Sequence, residues 1–109
     1  MDSSQDRHDV FQAIGDPTRR KLLQLLANNE LPISAITKQF PISRTAVNKH
    51  LKVLLDAGLV SNQRVGRENR YKLNPQPLTE IKDWLIFFEQ YWDEKILALK
   101  EYVEKNQDN

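Results

Sequence analysis

Five neighbouring side chains between positions 44 and 52 are suited to binding nucleic acid. All can donate hydrogen bonds and none is acidic: Arg44, Thr45, Asn48, Lys49 and Lys52. Arginine pairs well with guanine O6 and N7, and asparagine with adenine N6 and N7. Arg44 and Asn48 are four residues apart, which is about one helical turn. We predict base or phosphate contacts for these two, and phosphate contacts for Lys49 and Lys52.

A helix over residues 43–57 must position these side chains. Val47, Leu51 and Leu54 follow the i, i+4, i+7 spacing of an apolar helix face. Ser43 can serve as the N-cap, and Gly58 can take the positive φ that often follows a helix. Taken alone, this segment is equally compatible with an ordinary amphipathic helix whose basic face is merely solvated.

The segments on either side of this helix favour a DNA-binding arrangement. A short helix over Ile33–Phe40 precedes it, so residues 33–57 read as a helix-turn-helix. Residues 59–73 then alternate with period two around a Gly66-Arg67-Glu68-Asn69 turn, which predicts a β-hairpin. Such a hairpin beside a helix-turn-helix is a wing. We expect four of its polar residues to bind DNA: Arg64, Arg67, Asn69 and Arg70.

The charges are divided unevenly along the chain. Residues 38–75 hold eight Lys and Arg against two acids, net +6, whereas residues 1–37 are net −1 and residues 76–109 net −4. A basic middle between acidic ends predicts that a polyanion meets only the middle third.

In the first third of the chain we predict a disordered tail over residues 1–5, followed by two helices. Asp16 and Pro17 read as an N-cap and a proline at the first helical position. We interpret Arg19 as a helix-surface residue that pairs with an acid. Leu31 is expected to form a lone strand residue or a short pair.

A long helix is predicted from Leu78 to about Lys105. Its apolar stripe is wider than one small domain needs, so we predict a dimer interface there, assisted by the first helix. The residues assigned to it are Val10, Phe11, Ile14, Trp84, Leu85, Phe88, Trp92, Ile96, Leu99 and Val103. Alternatively, the aromatic residues could line a pocket for a small apolar ligand.

The residue types present argue against an enzyme. There is no cysteine, no Ser/His/Asp set and no glycine-rich phosphate loop, so we predict no catalytic residue, metal or cofactor. For His50 a phosphate contact or a structural hydrogen bond ranks first, and metal ligation last. No apolar run could span a bilayer and the N-terminus is unlike a signal peptide, so we expect a cytoplasmic protein.

Several runs together resemble a family of bacterial winged-helix regulators, the arsenical-resistance-repressor (ArsR/SmtB) type. The matching runs cover roughly residues 8–103: Phe11–Leu23, Ser43–Leu54, Ala57–Val60, Gly66-Arg67 and Tyr71–Leu73. The resemblance implies a homodimeric transcriptional repressor whose terminal helices form the dimer. It also implies that Ser43, Arg44, Thr45, Asn48 and His50 face DNA or its backbone, with Arg67 and its neighbours in the wing.

The sequence departs from this family at its metal sites. Family members that sense metals use Cys on the third helix, or His, Asp and Glu on the last helix. Here the third helix offers Ile33, Ser34, Ala35 and Thr37, and the last helix has no His. The sequence therefore resembles members that lack metal ligands, and leaves open whether a small-molecule inducer exists.

We therefore predict one winged helix-turn-helix domain over residues 1–109, mainly α with a small β-hairpin and a long C-terminal dimerisation helix. Its predicted function is sequence-specific repression of transcription by a homodimer on a near-palindromic operator. The alternatives are a winged helix that binds protein or RNA, and a repressor regulated by an apolar ligand at the dimer interface.

Overall fold

The computed structural model describes residues 9–107. Its elements, in chain order, are α1 (Val10–Ala13), α2 (Pro17–Asn28), β1 (Leu31–Pro32), α3 (Ile33–Thr37), α4 (Arg44–Asp56), β2 (Val60–Val65), β3 (Glu68–Leu73) and α5 (Leu78–Gln107). The predicted disordered tail, residues 1–5, lies outside the described residues. The chain divides into two compact units, Met1–Thr79 and Glu80–Asn109. The prediction of a single domain over residues 1–109 stays a prediction.

The core of the first unit lies between α2, α3, α4 and the sheet. Its most deeply buried side chains are Ala13, Leu22, Leu26, Ile36, Val47, Leu51, Leu54, Leu59 and Val60. Helix α2 begins as predicted, because the Asp16 carboxylate accepts a hydrogen bond of 3.0 Å from the Arg19 backbone N–H and Pro17 follows at the first helical position.

The wing belongs to a three-stranded antiparallel sheet with strand order β1-β3-β2. Leu31 and Pro32 form a two-residue strand that pairs with β3, with Leu31 opposite Tyr71. This was one of the two predicted alternatives for Leu31. The turn is tighter than predicted, because only Gly66 and Arg67 lie between the closing pair Val65 and Glu68. Gly66 has a φ of 64°, which suits glycine at the first central position of a type II′ turn.

Helix α3 is shorter than predicted. It ends at Thr37 rather than Phe40, and its last turn tightens into i→i+3 hydrogen bonds, from Gln39 N to Ile36 O and from Phe40 N to Thr37 O. Pro41 explains the difference, since a proline disfavours the α conformation in the residue before it.

Helix α4 ends in a Schellman motif at the predicted glycine. Gly58 has a φ of 77°, and its N–H bonds the Leu55 carbonyl, while the Leu59 N–H bonds the Leu54 carbonyl. Leu54 and Leu59 are both fully buried. Helix α4 is therefore fixed at its C-terminal end by both hydrogen bonds and packing.

The described part of the second unit is helix α5 over residues 80–107. All side chains from Glu89 to Asn106 are exposed, including large apolar ones such as Trp92, Ile96 and Leu99. Trp84 and Phe87 each make an edge-to-face contact with Phe88, with ring centroids 5.0 Å apart. None of the helices formed by residues 9–107 has the length and hydropathy needed to cross a membrane.

Candidate nucleic-acid interface

The exposed face of α4 is built from its N-cap onward. The Ser43 hydroxyl accepts a hydrogen bond of 3.1 Å from the Ala46 N–H, which fixes where the helix starts. With Val47, Leu51 and Leu54 buried, the opposite face is turned to solvent. All five residues that we singled out first lie on that exposed side: Arg44, Thr45, Asn48, Lys49 and Lys52.

The side chains of this face are not engaged by other residues. Within residues 9–107, no side-chain hydrogen bond or ion pair involves Arg44, Asn48, Lys49 or Lys52. Unpaired cations and an amide on one helix face can bind phosphate oxygens and base edges without breaking bonds inside the protein. Such a face suits the major groove of DNA, which admits an α-helix.

The wing carries its predicted residues on two different sides. Arg64 and Asn69 face each other across the β2–β3 ladder, and Arg67 lies exposed at the tip. Arg70, one position on from Asn69, has the opposite orientation. The Asn69 amide also lies 3.4 Å from the Tyr71 hydroxyl. The hairpin thus separates Arg64 and Asn69 from Arg70.

Arg70 has a partner that we did not predict. Its Nη2 and Nε donate to Glu68 Oε1 over 3.0 and 3.2 Å, and both side chains are partly exposed. The period-two pattern contained the signal, since residues two apart on a strand share a face. Of the predicted wing cations, Arg70 is therefore partly neutralised within the chain.

His50 lies apart from the other predicted DNA-binding residues of α4. Its Nδ1 is 3.3 Å from Arg19 Nη1 and 4.0 Å from Asp16 Oδ2, so the imidazole lies against the start of α2. The Arg19 backbone N–H, followed by the positive charges of His50 when protonated and of Arg19, lowers the pKa of Asp16 despite partial desolvation.

The acidic partner expected for Arg19 does not form a direct ion pair with it in the described part of the chain, although the Arg19 charge helps to lower the pKa of Asp16. The Arg19 guanidinium instead donates to the carbonyls of Ala13 over 2.7 Å and Gln12 over 3.2 Å. Neighbouring Arg20 likewise donates to the Ile14 carbonyl over 2.7 Å. The two arginines therefore bind the end of α1.

Acidic and histidine side chains do not form a metal centre in the part of the chain that the structure describes. Within residues 9–107, no three or more His, Asp or Glu side chains are grouped so that they could hold an ion.

Comparisons with known proteins agree with this geometry. A family model described as "Bacterial regulatory protein, arsR family" matches residues 16–62, from the N-cap of α2 into the wing. The transcriptional repressor SdpR of Bacillus subtilis (strain 168) is 37% identical over 81 residues, covering 74% of this chain and 90% of its own length. The chain belongs to the arsR family of bacterial regulatory proteins.

Two further relatives extend the match over nearly all of the chain. The regulator Rv2034 of Mycobacterium tuberculosis is 31% identical over 100 residues, which cover 92% of this chain and 91% of its length. The solved structure of an ArsR-like transcriptional regulator from Rhodococcus sp. RHA1 covers 88% of both chains at 34% identity, with a TM-score of 0.70.

The family assignment confirms the predicted fold class and the broad function. This arsR-family chain is a winged helix-turn-helix protein with a long C-terminal helix, and it is a DNA-binding transcriptional repressor rather than an enzyme. The residues that contact DNA and the assembly that binds it are proposals.

Proposed function

We propose that this repressor binds a near-palindromic operator as a homodimer and inserts α4 of each protomer into the major groove. The observation that carries this proposal is the exposed face formed by Arg44, Asn48, Lys49 and Lys52, whose side chains have no partner within residues 9–107. DNA-bound dimers of this kind place two recognition helices about 34 Å apart, or a multiple of that, on one side of the duplex. We expect this binding to take place in the cytoplasm.

The residues of this surface have different proposed roles. Arg44 and Asn48 read bases, because their planar donors suit bidentate contacts in the major groove. Lys49 and Lys52 contribute phosphate contacts, which add affinity without sequence preference. Ser43, Thr45 and His50 contact the DNA backbone. In the wing, Arg64, Arg67, Asn69 and Arg70 bind the sugar-phosphate backbone beside the groove.

The exposed apolar face of α5 supports the homodimer. Trp92, Ile96 and Leu99 are 45%, 64% and 63% exposed, and Val103 continues the same stripe at 42%. Exposed apolar surface of this extent marks an interaction site. A two-fold pairing with the α5 of a second copy would bury the stripe and leave the acidic side chains in water.

Helix α1 has a smaller proposed part in this pairing. Val10 is only 5% exposed within one protomer, so it can offer a partner little surface. Phe11 and Ile14 are half-buried and can still contribute contact area.

Selection of bound sites from random duplex DNA tests the proposal. We expect enrichment of an inverted repeat whose half-sites are one or two helical turns apart. The double variant Arg44→Ala, Asn48→Ala should lose the enrichment. The variant Lys100→Ala, which removes one exposed charge from α5, should retain it. If the unmutated protein enriches no sequence, the operator proposal is refuted and a protein-binding or RNA-binding winged helix is favoured.

A further inference from the structure

Asp16, Arg19 and His50 form a cluster that joins α2 to the recognition helix. Asp16 caps α2, Arg19 lies in its first turn, and His50 lies on α4, 31 positions further along the chain than Arg19. His50 is the one residue of the proposed DNA-binding set on α4 whose side chain is held by another element among the described residues. The cluster therefore has a direct connection to the proposed function, on which the following inference rests.

The Arg19 guanidinium constrains the protonation of the imidazole. Its Nε and Nη2 donate to the carbonyls of Ala13 and Gln12, so the group is fixed from one side. Its Nη1 then points at His50 Nδ1 over 3.3 Å. A guanidinium can only donate hydrogen bonds, so Nδ1 must accept in this contact. The proton of the neutral ring is then on Nε2.

Asp16 does not compete for Nδ1. Its Oδ2 lies 4.0 Å from that nitrogen, beyond hydrogen-bond distance, and already accepts the Arg19 backbone N–H over 3.0 Å. The carboxylate therefore caps α2 and leaves Nδ1 to the guanidinium.

The Nε2–H has no partner within the described part of the chain. The His50 side chain keeps 23% of its surface exposed. On α4, His50 is flanked by Lys49, a proposed phosphate contact. A neutral donor at this position suits a phosphate oxygen, since many protein–DNA hydrogen bonds go to the backbone from uncharged groups.

We propose that Arg19 is a positioning residue for DNA binding: it holds His50 as the Nε2–H tautomer, so that this N–H donates to a phosphate of the bound DNA. Arg19 itself contacts the α1 carbonyls and the imidazole, and acts on DNA only through His50. The two contacts predicted for His50 then belong to different ring nitrogens. Nδ1 makes the structural hydrogen bond to Arg19, and Nε2 makes the phosphate contact.

Nitrogen NMR of the imidazole tests the tautomer without DNA. The chain has two histidines, at positions 8 and 50. In the variant His8→Gln, all imidazole signals therefore come from His50. For the neutral ring we expect the proton on Nε2 and none on Nδ1. Arg19→Met should shift the signals toward a mixture of tautomers. A dominant Nδ1–H form of the neutral ring in the protein with Arg19 intact would overturn the proposal, and that measurement needs no Arg19 variant to fold.

Binding to a mixed-sequence duplex tests the phosphate contact. An asparagine amide can replace Nδ1 of histidine, whereas a glutamine amide reaches the position of Nε2. His50→Asn should therefore weaken binding by roughly threefold to tenfold per half-site, the equivalent of one net hydrogen bond. His50→Gln should bind more tightly than His50→Asn.

A double-mutant cycle tests whether Arg19 acts through His50. Arg19→Met should weaken binding by a factor similar to that of His50→Asn, and much less when His50→Gln is already present. Arg19→Gln, whose side chain is too short to reach the ring, repeats the cycle if Arg19→Met does not fold. If Arg19→Met lowers DNA affinity by the same factor whether residue 50 is histidine or glutamine, the positioning role is overturned. If the unmutated protein binds no duplex, the proposed function fails, while the NMR result still tests the role of Arg19.

Discussion

Arg44 and Asn48 stand one helical turn apart on the exposed face of α4 and have no partners among the described residues. A bidentate contact to one base contributes about 1–3 kcal/mol of discrimination against the wrong base. We expect Arg44→Ala and Asn48→Ala each to lose that amount between the selected operator and a mismatched site. Competition titrations with the two duplexes would measure the loss.

Arg67→Ala serves as the comparison for these variants. Arg67 lies at the tip of the wing, where we propose a phosphate contact, so its removal should weaken all duplexes alike. The slope of log K against log salt should become shallower by roughly 0.9. Unchanged specificity in both Arg44→Ala and Asn48→Ala would show that α4 does not read bases.

Glu68 is predicted to lower DNA affinity. Its carboxylate accepts two hydrogen bonds from Arg70, and it adds a negative charge to a surface that we expect to face phosphates. Glu68→Gln should remove the charge that competes with phosphate for the Arg70 guanidinium, so DNA binding should tighten several-fold and its salt slope should become steeper. Salt titrations would measure both. Glu104→Gln on α5 is the matched control, and equal effects of the two variants would contradict the assignment.

At the scale of elements, Gly58 determines how α4 ends. Its φ of 77° belongs to the left-handed region, although an added Cβ would have room, with Pro77 Cγ as its nearest neighbour at 3.7 Å. Gly58→Ala should therefore lower the free energy of unfolding by about 1–2 kcal/mol through backbone strain alone. Gly58→Asn should cost less, because asparagine tolerates this conformation. Urea unfolding would measure both, and an alanine variant as stable as glycine would refute the argument.

Helix α5 provides the test of the whole assembly. Leu97 and Leu99 are 56% and 63% exposed, but a two-residue step turns a side chain by about 200° around the helix, so only Leu99 lies on the stripe of Trp92 and Val103. Leu99→Asp or Trp92→Asp should dissociate the dimer and abolish most of the specific DNA binding. Leu97→Asp should leave both intact.

Sedimentation equilibrium at low micromolar protein would measure this prediction. A monomeric unmutated protein, or an undisturbed dimer when Trp92→Asp and Leu99→Asp are combined, would exclude the proposed interface. Dissociation by Leu97→Asp alone would place the interface on the other side of the helix.

The whole chain is also expected to be insensitive to thiophilic metals. It has no cysteine and only two histidines, at positions 8 and 50, so Zn²⁺, Cd²⁺ and arsenite lack the ligands they prefer. None of them should release the protein from DNA at stoichiometric concentration. Fluorescence anisotropy of a labelled operator would measure this, with EDTA as the control. One tight ion per protomer, with a matching fall in affinity, would contradict the prediction.

The sequence by itself determined the boundaries and exposed face of α4. Ser43 caps the helix and Gly58 ends it through hydrogen bonds to residues only a few positions away. The buried stripe and the polar face follow from the 3.6-residue period. Local hydrogen bonds and helical periodicity tie neighbouring residues together, and such patterns are therefore visible in the sequence. The wing turn was only partly predicted. Glu68 and Asn69 were expected in the turn, but they pair with Val65 and Arg64 and so belong to β3.

Only the tertiary structure decided the partners of Arg19. Its acceptors are the carbonyls at the end of α1 and the ring of His50, which come together because α1 and α4 both meet the start of α2. The pairing of Leu31 with Tyr71 likewise joins segments 40 positions apart. No spacing rule links such residues, because their contact depends on the path of the chain between them. The face that we propose to read DNA was thus predictable from local pattern, whereas the contact that holds His50 depended on how the helices pack.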